Sequence, residues 1–200
     1  MDKKTPAGGR PAPRTVRLDG RQVRVLAHPL RMRLLGALRL EGPATATALA
    51  GTLDTNTGAT SYHLRQLAEV GLVAEAPELG TRRQRWWRAV HEISDFEPTD
   101  FDDDPDARAA VEWIQADQVR HLAEQARRWT AVAHRHDRAW RDAAGMGDAV
   151  LTLDAARLRA LNDELWQVLM RYRDETEPGV AGAQAVHVFL AAYPRVEEGR

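Results

Sequence analysis

Hydrophobic residues between positions 16 and 90 recur at helical spacing, and short runs of turn-forming residues separate them. Leucines at three- and four-residue steps predict a helix from Leu30 to about Leu40. Pro29 fits its first position, where the missing N–H costs nothing, and Gly42-Pro43 ends it. An earlier element is expected from Val16 to Ala27. The pattern therefore favours a helical domain near the N-terminus.

Two shorter helical segments follow and are joined by a polar turn. They run from Thr45 to Leu53 and from Thr57 to Val70, and Asn56 is the expected N-cap of the second because its side chain can accept a free backbone N–H. Positions at i, i+4 and i+7 of the second helix are expected to face the core: Thr60, Leu64 and Leu67. The opposite side then faces outward: Gly58, Ser61, Tyr62 and Arg65.

A basic β-hairpin is expected after the second helix, and Gly71-Leu72-Val73 leads into it. Three arginines flank its turn: Arg82, Arg83 and Arg85. Trp86 and Trp87 alternate faces in a strand, so one of them should lie in the core. Helix, turn, helix and hairpin in this order predict a winged helix, whose hairpin lies along the DNA backbone or in the minor groove.

Three motifs in this region resemble the ArsR family of bacterial transcriptional regulators. They are His28-Pro29-Leu30-Arg31-Met32-Arg33-Leu34-Leu35, Ser61-Tyr62-His63-Leu64-Arg65-Gln66-Leu67 and Gly71-Leu72-Val73. The resemblance implies a winged helix-turn-helix that binds double-stranded DNA through its second helix. The contacts that it implies lie on that helix and its cap: Asn56, Thr57, Ser61, Tyr62 and Arg65. Tyr62 stands where the family commonly has an arginine, which leaves the base preference open.

His63 matches a histidine of the same family pattern. On this helix it is next to Leu64, at the margin of the expected core. Its imidazole is expected either to pack there with a hydrogen bond or to contact a DNA phosphate. Both interpretations stay open, and His63 is kept among the candidate DNA-binding residues.

The chain is strongly acidic from Glu92 to Asp106. This segment has eight acidic residues, no basic ones and two prolines. Such a composition predicts a linker or a loosely packed extension. The alternative is that the segment docks against the basic head as a mimic of DNA.

A long helical pattern follows, from about Asp106 to Ala144. Its apolar residues recur every three to five positions, and neither glycine nor proline interrupts them. A small domain cannot cover so long a helix, so a second copy is expected to pack along it in a homodimer. The candidate dimerisation residues are Val111, Ile114, Leu122, Trp129 and Trp140.

The C-terminal region is predicted to combine strands with a helix. Val150 to Leu153 and Val186 to Leu190 have strand-like sequences, whereas Ala155 to Arg173 has the pattern of an amphipathic helix. The expected fold class is therefore mainly α, within α+β. The expected divisions are a disordered tail (1–14), a winged helix-turn-helix with a two-stranded wing (15–91), an acidic linker (92–106), and a helical dimerisation and effector domain with a small α/β part (107–200).

Charge is distributed unevenly although the formal net charge is only −1. Residues 1–90 contain 15 Lys and Arg against 7 Asp and Glu, whereas residues 91–200 contain 13 against 22. A basic head on an acidic body suits a protein that presents one end to nucleic acid. Double-stranded DNA is therefore the expected partner.

Cysteine is absent, which excludes disulfides and thiolate metal sites. Asp117, His121 and Glu124 share one helical face, but the fuller ligand pattern of zinc-binding ArsR-family members is not evident. The two histidines of His134-Arg135-His136-Asp137 lie roughly 200° apart around a helix, so they cannot share a metal there. Neither a metal, another cofactor nor enzymatic activity is expected.

Four tryptophans lie in the C-terminal region: Trp113, Trp129, Trp140 and Trp166. They are expected either to be core residues or to line an apolar pocket for a small organic effector. No apolar run approaches the roughly 18 residues that cross a bilayer, and the N-terminus lacks a signal-peptide pattern, so a cytoplasmic protein without membrane contact is expected.

The sequence therefore predicts a sequence-specific transcriptional regulator, a homodimeric repressor that binds a near-palindromic operator. The alternative is a protein-interaction module that uses its winged helix and long helix for assembly.

Overall fold

The computed structural model describes residues 13–80, 84–175 and 180–196. These residues are mainly helical and include two small sheets, so the predicted fold class is confirmed. The chain divides into two compact units, one reaching to Ala126 and the other extending from Arg127 onward. None of the helices in the described ranges is long and apolar enough to cross a membrane.

The first unit is built from short strands and the helices of the predicted head. The helices are α1 (Gly20–Leu26), α2 (Pro29–Leu40), α3 (Ala46–Thr52), α4 (Thr57–Glu69) and the first part of α5 (Pro105–Val132). The strands are β1 (Thr15–Arg17), β2 (Ala44–Thr45), β3 (Val73–Glu75), β4 (Trp86–Ala89) and β5 (Ile93–Asp95). Strands β1 and β5 pair in parallel, and a second, antiparallel sheet has the order β2-β4-β3.

The wing is the antiparallel pair β3 and β4, in which Val73 lies opposite Ala89. Trp87 is the buried member of the tryptophan pair, and Trp86 is half-buried. Strand β2 pairs with the other edge of β4, with Thr45 opposite Trp86, so the wing belongs to a three-stranded sheet rather than a two-stranded one. Two residues are too few for a strand to leave a periodic signal in the sequence.

Side-chain caps determine where the helices of the head begin. Asp19 and Gln22 form a capping box at α1, and Asn56 Oδ1 accepts a hydrogen bond from the Ala59 N–H at α4 (2.8 Å). Thr45 caps α3 in the same way. These contacts satisfy backbone N–H groups that have no partner inside the helix.

Helix α4 ends in a Schellman motif. The Gly71 N–H donates to Ala68 O and the Leu72 N–H donates to Leu67 O, both at 3.0 Å. Gly71 has a φ of +72°, which a residue with a side chain rarely adopts. Leu72 is then buried and Val73 begins the wing, so Gly71-Leu72-Val73 turns the chain from the helix into the hairpin.

The core of the first unit includes the start of α5. Thr60, Leu64 and Leu67 of α4 are fully buried, as predicted. Val111 and Ile114 of α5 are only 3% and 2% exposed, and they belong to this same core. Their prediction as dimerisation residues is therefore wrong, because their side chains are covered by their own unit.

The acidic segment is part of the first unit rather than a linker. Strand β5 pairs with β1, and Phe101 is buried in the core. Three ion pairs fasten the segment to the head: Arg14 with Glu92 (3.5 Å), Arg17 with Asp100 (2.6 Å) and Arg24 with Asp104 (2.6 Å). The carboxylates of this segment suggested a solvated spacer, but they pair with Arg14, Arg17 and Arg24.

The long helix is shorter than predicted. Helix α5 ends at Val132 and gives way to a 3-10 turn, Ala133–Arg135. Asp137 then caps a separate helix, α6 (Arg138–Ala143), by accepting a hydrogen bond from the Trp140 N–H (2.9 Å). The helical pattern continues across the break because an aspartate N-cap needs neither glycine nor proline.

The two strands predicted in the C-terminal region are wrong. Residues 150–153 and 186–190 are neither strand nor helix, and their valines are exposed. A strand pair without a covered apolar face is marginal in water, so alternating valines alone are insufficient. The predicted amphipathic helix is confirmed as α7 (Ala155–Glu175).

Candidate DNA-binding site

A groove of about 350 Å³ lies between α4 and the wing. Its lining comes from the start of α3, the outer side of α4 and the approach to β4: Thr45, Ala46, Thr47, Thr57, Ser61, Arg65, Gln84, Arg85 and Trp87. Most of these side chains offer hydroxyl, amide or guanidinium groups. Such groups hydrogen-bond to phosphate oxygens and to base edges.

Helix α4 provides one wall of the groove. Thr57, Ser61 and Arg65 lie one turn apart along it and line the groove together. Arg65 is exposed and makes no hydrogen bond or ion pair with another described residue. Its guanidinium is therefore available for an anionic partner.

Tyr62 and Asn56 lie beside the groove rather than in it. Tyr62 is 52% exposed on the outer side of α4. Asn56 Oδ1 is already used by the Ala59 N–H, so its cap holds the first turn of α4 in place. The Asn56 Oδ1 atom is therefore occupied within the protein, and its role is to order the first turn of α4.

The wing contributes Arg85 to the groove. Its guanidinium pairs with Glu75 (3.1 Å) and lies 5.9 Å from the ring centroid of Trp87, which fixes it at the rim. The other two predicted wing arginines, Arg82 and Arg83, lie outside the described residues. Of the nine predicted DNA-binding residues, four therefore meet at the groove: Thr57, Ser61, Arg65 and Arg85.

His63 lies on the opposite flank of α4 and contacts the N-terminus of α2. Its ring centroid is 4.3 Å from that of His28 and 5.1 Å from that of Tyr62. Its Nδ1 atom is buried and has no hydrogen-bond partner among the described residues. The histidine is packed, as one interpretation predicted, and the group that faces its ring is the imidazole of His28.

Burial lowers the pKa of both His28 and His63, and the positive charge of nearby Arg31 lowers each further. The His28 Nδ1 atom accepts a hydrogen bond from the Leu30 N–H (3.1 Å), which also requires that nitrogen to be unprotonated. Both imidazoles are therefore neutral in the folded protein at neutral pH. Their contact places two neutral rings between α2 and α4.

We expect the free energy of unfolding to fall as the pH drops below about 6.5, the ordinary pKa of histidine. The unfolded chain binds protons there that the folded pair resists, so this contribution is present above that pH and is lost as the pH falls through the lowered pKa. Urea unfolding at pH 7.5 and pH 5.5 measures the difference. His63→Gln should make the stability less dependent on pH, and an unchanged dependence in that variant would contradict the role of the pair.

Sequence reasoning missed Thr45, Thr47 and Gln84, which also line the groove. Thr45 is the N-cap of α3, Thr47 lies in the first turn of α3, and Gln84 precedes β4. The one usable signal was the threonine-rich start of α3, because Thr45 and Thr47 place two hydroxyls at the N-terminus of the first helix of the helix-turn-helix. Gln84 had no signal, since only the folded hairpin brings it near α4.

Among the described residues, the ion pairs of the acidic segment involve arginines that do not line the groove. These are Arg14, Arg17 and Arg24, which belong to or adjoin β1 and α1. Arg39 of α2 also donates to His91 O (2.9 Å) and Ser94 Oγ (2.7 Å), and burial lowers the pKa of Arg39 to about 10. The acidic segment thus docks on the head, as the alternative held, but at arginines other than those of the groove.

Comparison with known proteins matches this part of the chain to a helix-turn-helix family model. A family model described as a helix-turn-helix domain matches residues 26–76, from the end of α1 through α4 to the wing. No curated protein matches the chain.

Several solved structures also resemble the chain. A homodimeric winged helix-turn-helix DNA-binding domain from Mycobacterium bovis, a possible ArsR-family transcriptional regulator, is 22% identical, covers 52% of this chain and 81% of its own, and has a TM-score of 0.33. A possible transcriptional regulator for arsenical resistance is 29% identical over 52% of this chain and 94% of its own, with a TM-score of 0.31. A MarR variant from E. coli is 16% identical over 74% of this chain and 85% of its own, with a TM-score of 0.31.

The family model spans all three motifs in full. The described structure has the helices and the hairpin in the predicted order. Residues 26–76 therefore match a helix-turn-helix domain, and the described helices and hairpin have the order of a winged helix-turn-helix.

Proposed function

We propose that this protein is a homodimeric transcriptional regulator that binds a near-palindromic site in double-stranded DNA. The observation that carries the proposal is the groove between α4 and the wing, where Arg65 has no partner among the described residues. A winged helix places its second helix in the major groove and its hairpin along the backbone. The polar lining of this groove fits that geometry.

The predicted contacts divide into two groups. Ser61 and Tyr62 lie where α4 would face base edges, and they are proposed to set the sequence preference. Thr57 and Arg85 are proposed to bind phosphates, as are Arg82 and Arg83 in the wing. Arg65 can serve either group, because its guanidinium reaches bases and phosphates equally well.

A second copy of the chain is proposed to complete the regulator. Val119 is 55% exposed on α5, and Leu122 and Trp129 of the same helix are only half-buried. In the described residues from 127 onward, no side chain is buried, although α7 carries Leu165, Trp166 and Val168. Such apolar residues are what a second copy would cover, and a two-fold protein matches two DNA half-sites.

Binding to duplex DNA at several salt concentrations tests the proposal. Each phosphate contact should contribute about 0.9 to the slope of the logarithm of affinity against the logarithm of salt concentration. A duplex that the protein selects from genomic DNA should bind more tightly than a random duplex of equal length. Affinity that does not depend on salt would favour the alternative, a protein-interaction module.

Repression and a small organic effector remain predictions of the sequence.

Tyr62→Ala is expected to reduce discrimination between the selected duplex and a random one by about 1–3 kcal/mol. The exposed ring is proposed to contact base edges, and removing it should leave phosphate contacts unchanged. Affinity for both duplexes, measured by fluorescence anisotropy, gives the discrimination directly. An equal loss of affinity for both would show that Tyr62 is not a base reader.

A further inference from the structure

A second basic cluster lies on the flank of α4 that faces away from the wing. His28 is the N-cap of α2, and its ring packs 4.3 Å from that of His63. Arg31 is one turn further along α2, close enough to Tyr62 for the two side chains to interact electrostatically. The first turn of α2 and the flank of α4 thus bring together two imidazoles, a guanidinium and a phenol.

Two polar atoms in this cluster are buried without a hydrogen bond. They are Arg31 Nε and His63 Nδ1, and neither has a partner among the described residues. Arg31 also forms no ion pair with an acidic residue in the described ranges, and burial lowers the pKa of its guanidinium. A half-buried cation without an anion is costly, because the lost hydration is not replaced. An anion with several acceptor oxygens would supply what the cluster lacks.

The cluster lies on the side of α4 that would face the second phosphate backbone of the DNA major groove. Successive residues of a helix are about 100° apart, so His63 is roughly 200° around α4 from Ser61, which lines the groove toward the wing. Tyr62 lies between them and is exposed. When α4 enters the major groove, one phosphate backbone passes the wing side and the other passes the His63 side.

We propose that Arg31 binds a backbone phosphate of DNA beside α4, with His28 and His63 holding the first turn of α2 against that helix. The proposal rests on the proposed DNA binding and adds a contact on the strand that the wing does not reach. Arg31 is a phosphate ligand here, so it strengthens binding to every sequence alike. The two histidines position it.

The test compares Arg31→Gln, Arg31→Lys and Arg21→Gln in the full-length protein. Arg21 is the matched control because it is an exposed arginine of α1, a helix whose Gln22 bonds to Val70 O at the far end of α4. Affinity for the selected and the random duplex is measured over a range of salt concentrations. Thermal unfolding and light scattering report whether each variant is folded and has the wild-type assembly.

Arg31→Gln should weaken binding to both duplexes by the same factor, about tenfold, and lower the salt slope by about 0.9. Arg31→Lys should retain most of the slope, because it keeps the charge, and Arg21→Gln should match the wild type. If Arg31→Gln does not fold, Arg31→Lys still decides: a phosphate ligand predicts weaker binding to both duplexes by the same factor with most of the slope retained, and wild-type affinity would contradict the proposal.

Three results would overturn the proposal. A wild-type slope in folded Arg31→Gln would show that no phosphate is bound there. A loss confined to the selected duplex would make Arg31 a base reader, and a monomeric Arg31→Gln would make its anion a carboxylate of the second copy. If the wild type itself binds DNA without salt dependence, the proposed function fails. That result does not depend on the Arg31 variants.

Discussion

Leu64→Ala is expected to lower the free energy of unfolding by about 2–5 kcal/mol. The Leu64 side chain is fully buried in the core where α4 packs against α2 and α3. Alanine removes its apolar surface and leaves a cavity that rigid helices cannot close completely. Urea unfolding followed by circular dichroism, extrapolated linearly to water, measures the loss.

The matched control for this prediction is Tyr62→Ala, two residues earlier on the same helix. Because Tyr62 is half exposed, its truncation should change the free energy of unfolding by about 0.5 kcal/mol or less. The two variants separate folding from recognition: Leu64→Ala destabilises the protein, whereas Tyr62→Ala alters discrimination between DNA sequences. Equal stabilities for the two variants would contradict the packing of α4.

The ends of the head helices were predictable because local chemistry determines them. Asn56 caps α4 through a bond to a residue three positions on, and Pro29 begins α2 where no N–H is needed. Gly71 ends α4 because the Schellman motif requires a positive φ. Each signal lies within a few residues of its effect, so a single sequence contains it.

The sequence did not predict what covers the apolar face of α5. Val111, Ile114 and Leu122 continue one helical pattern, yet the first two are buried by the head and the third is half-buried. The pattern shows that α5 has an apolar face, but a helix has the same face whether its own domain or a second copy covers it. Only the fold shows which residues of α5 are buried by the first unit and which are left for a second copy.

The acidic segment and the candidate site show the same limit at longer range. Asp100 and Asp104 pair with arginines that are 83 and 80 positions earlier in the sequence. The groove joins Thr45, the N-cap of α3, to Gln84 of the wing, and His28, the N-cap of α2, contacts His63 of α4. Charge and motif identified the basic elements, whereas their juxtaposition depends on tertiary packing that no local spacing contains.

Leu122→Glu is expected to convert the proposed dimer into a monomer and to lower affinity for the selected duplex by about 10² to 10⁴. A dimer places two heads on two half-sites, so the second head binds at a high effective concentration. A carboxylate at the half-buried Leu122 must lose hydration if a second copy packs there, which opposes association. Light scattering gives the assembly, and anisotropy on one-site and two-site duplexes gives the affinities.

Ala131→Glu is the control, because it adds the same charge at an exposed position of α5 about 180° around the helix from Leu122. It should remain dimeric and bind as the wild type does. Trp129→Glu, later on the same helix, should behave like Leu122→Glu if the second copy covers both residues. The one-site duplex should bind wild type and Leu122→Glu with similar affinity, since each head retains its groove. A wild-type protein that is monomeric at micromolar concentration, or a Leu122→Glu variant that stays dimeric, would remove α5 from the proposed interface.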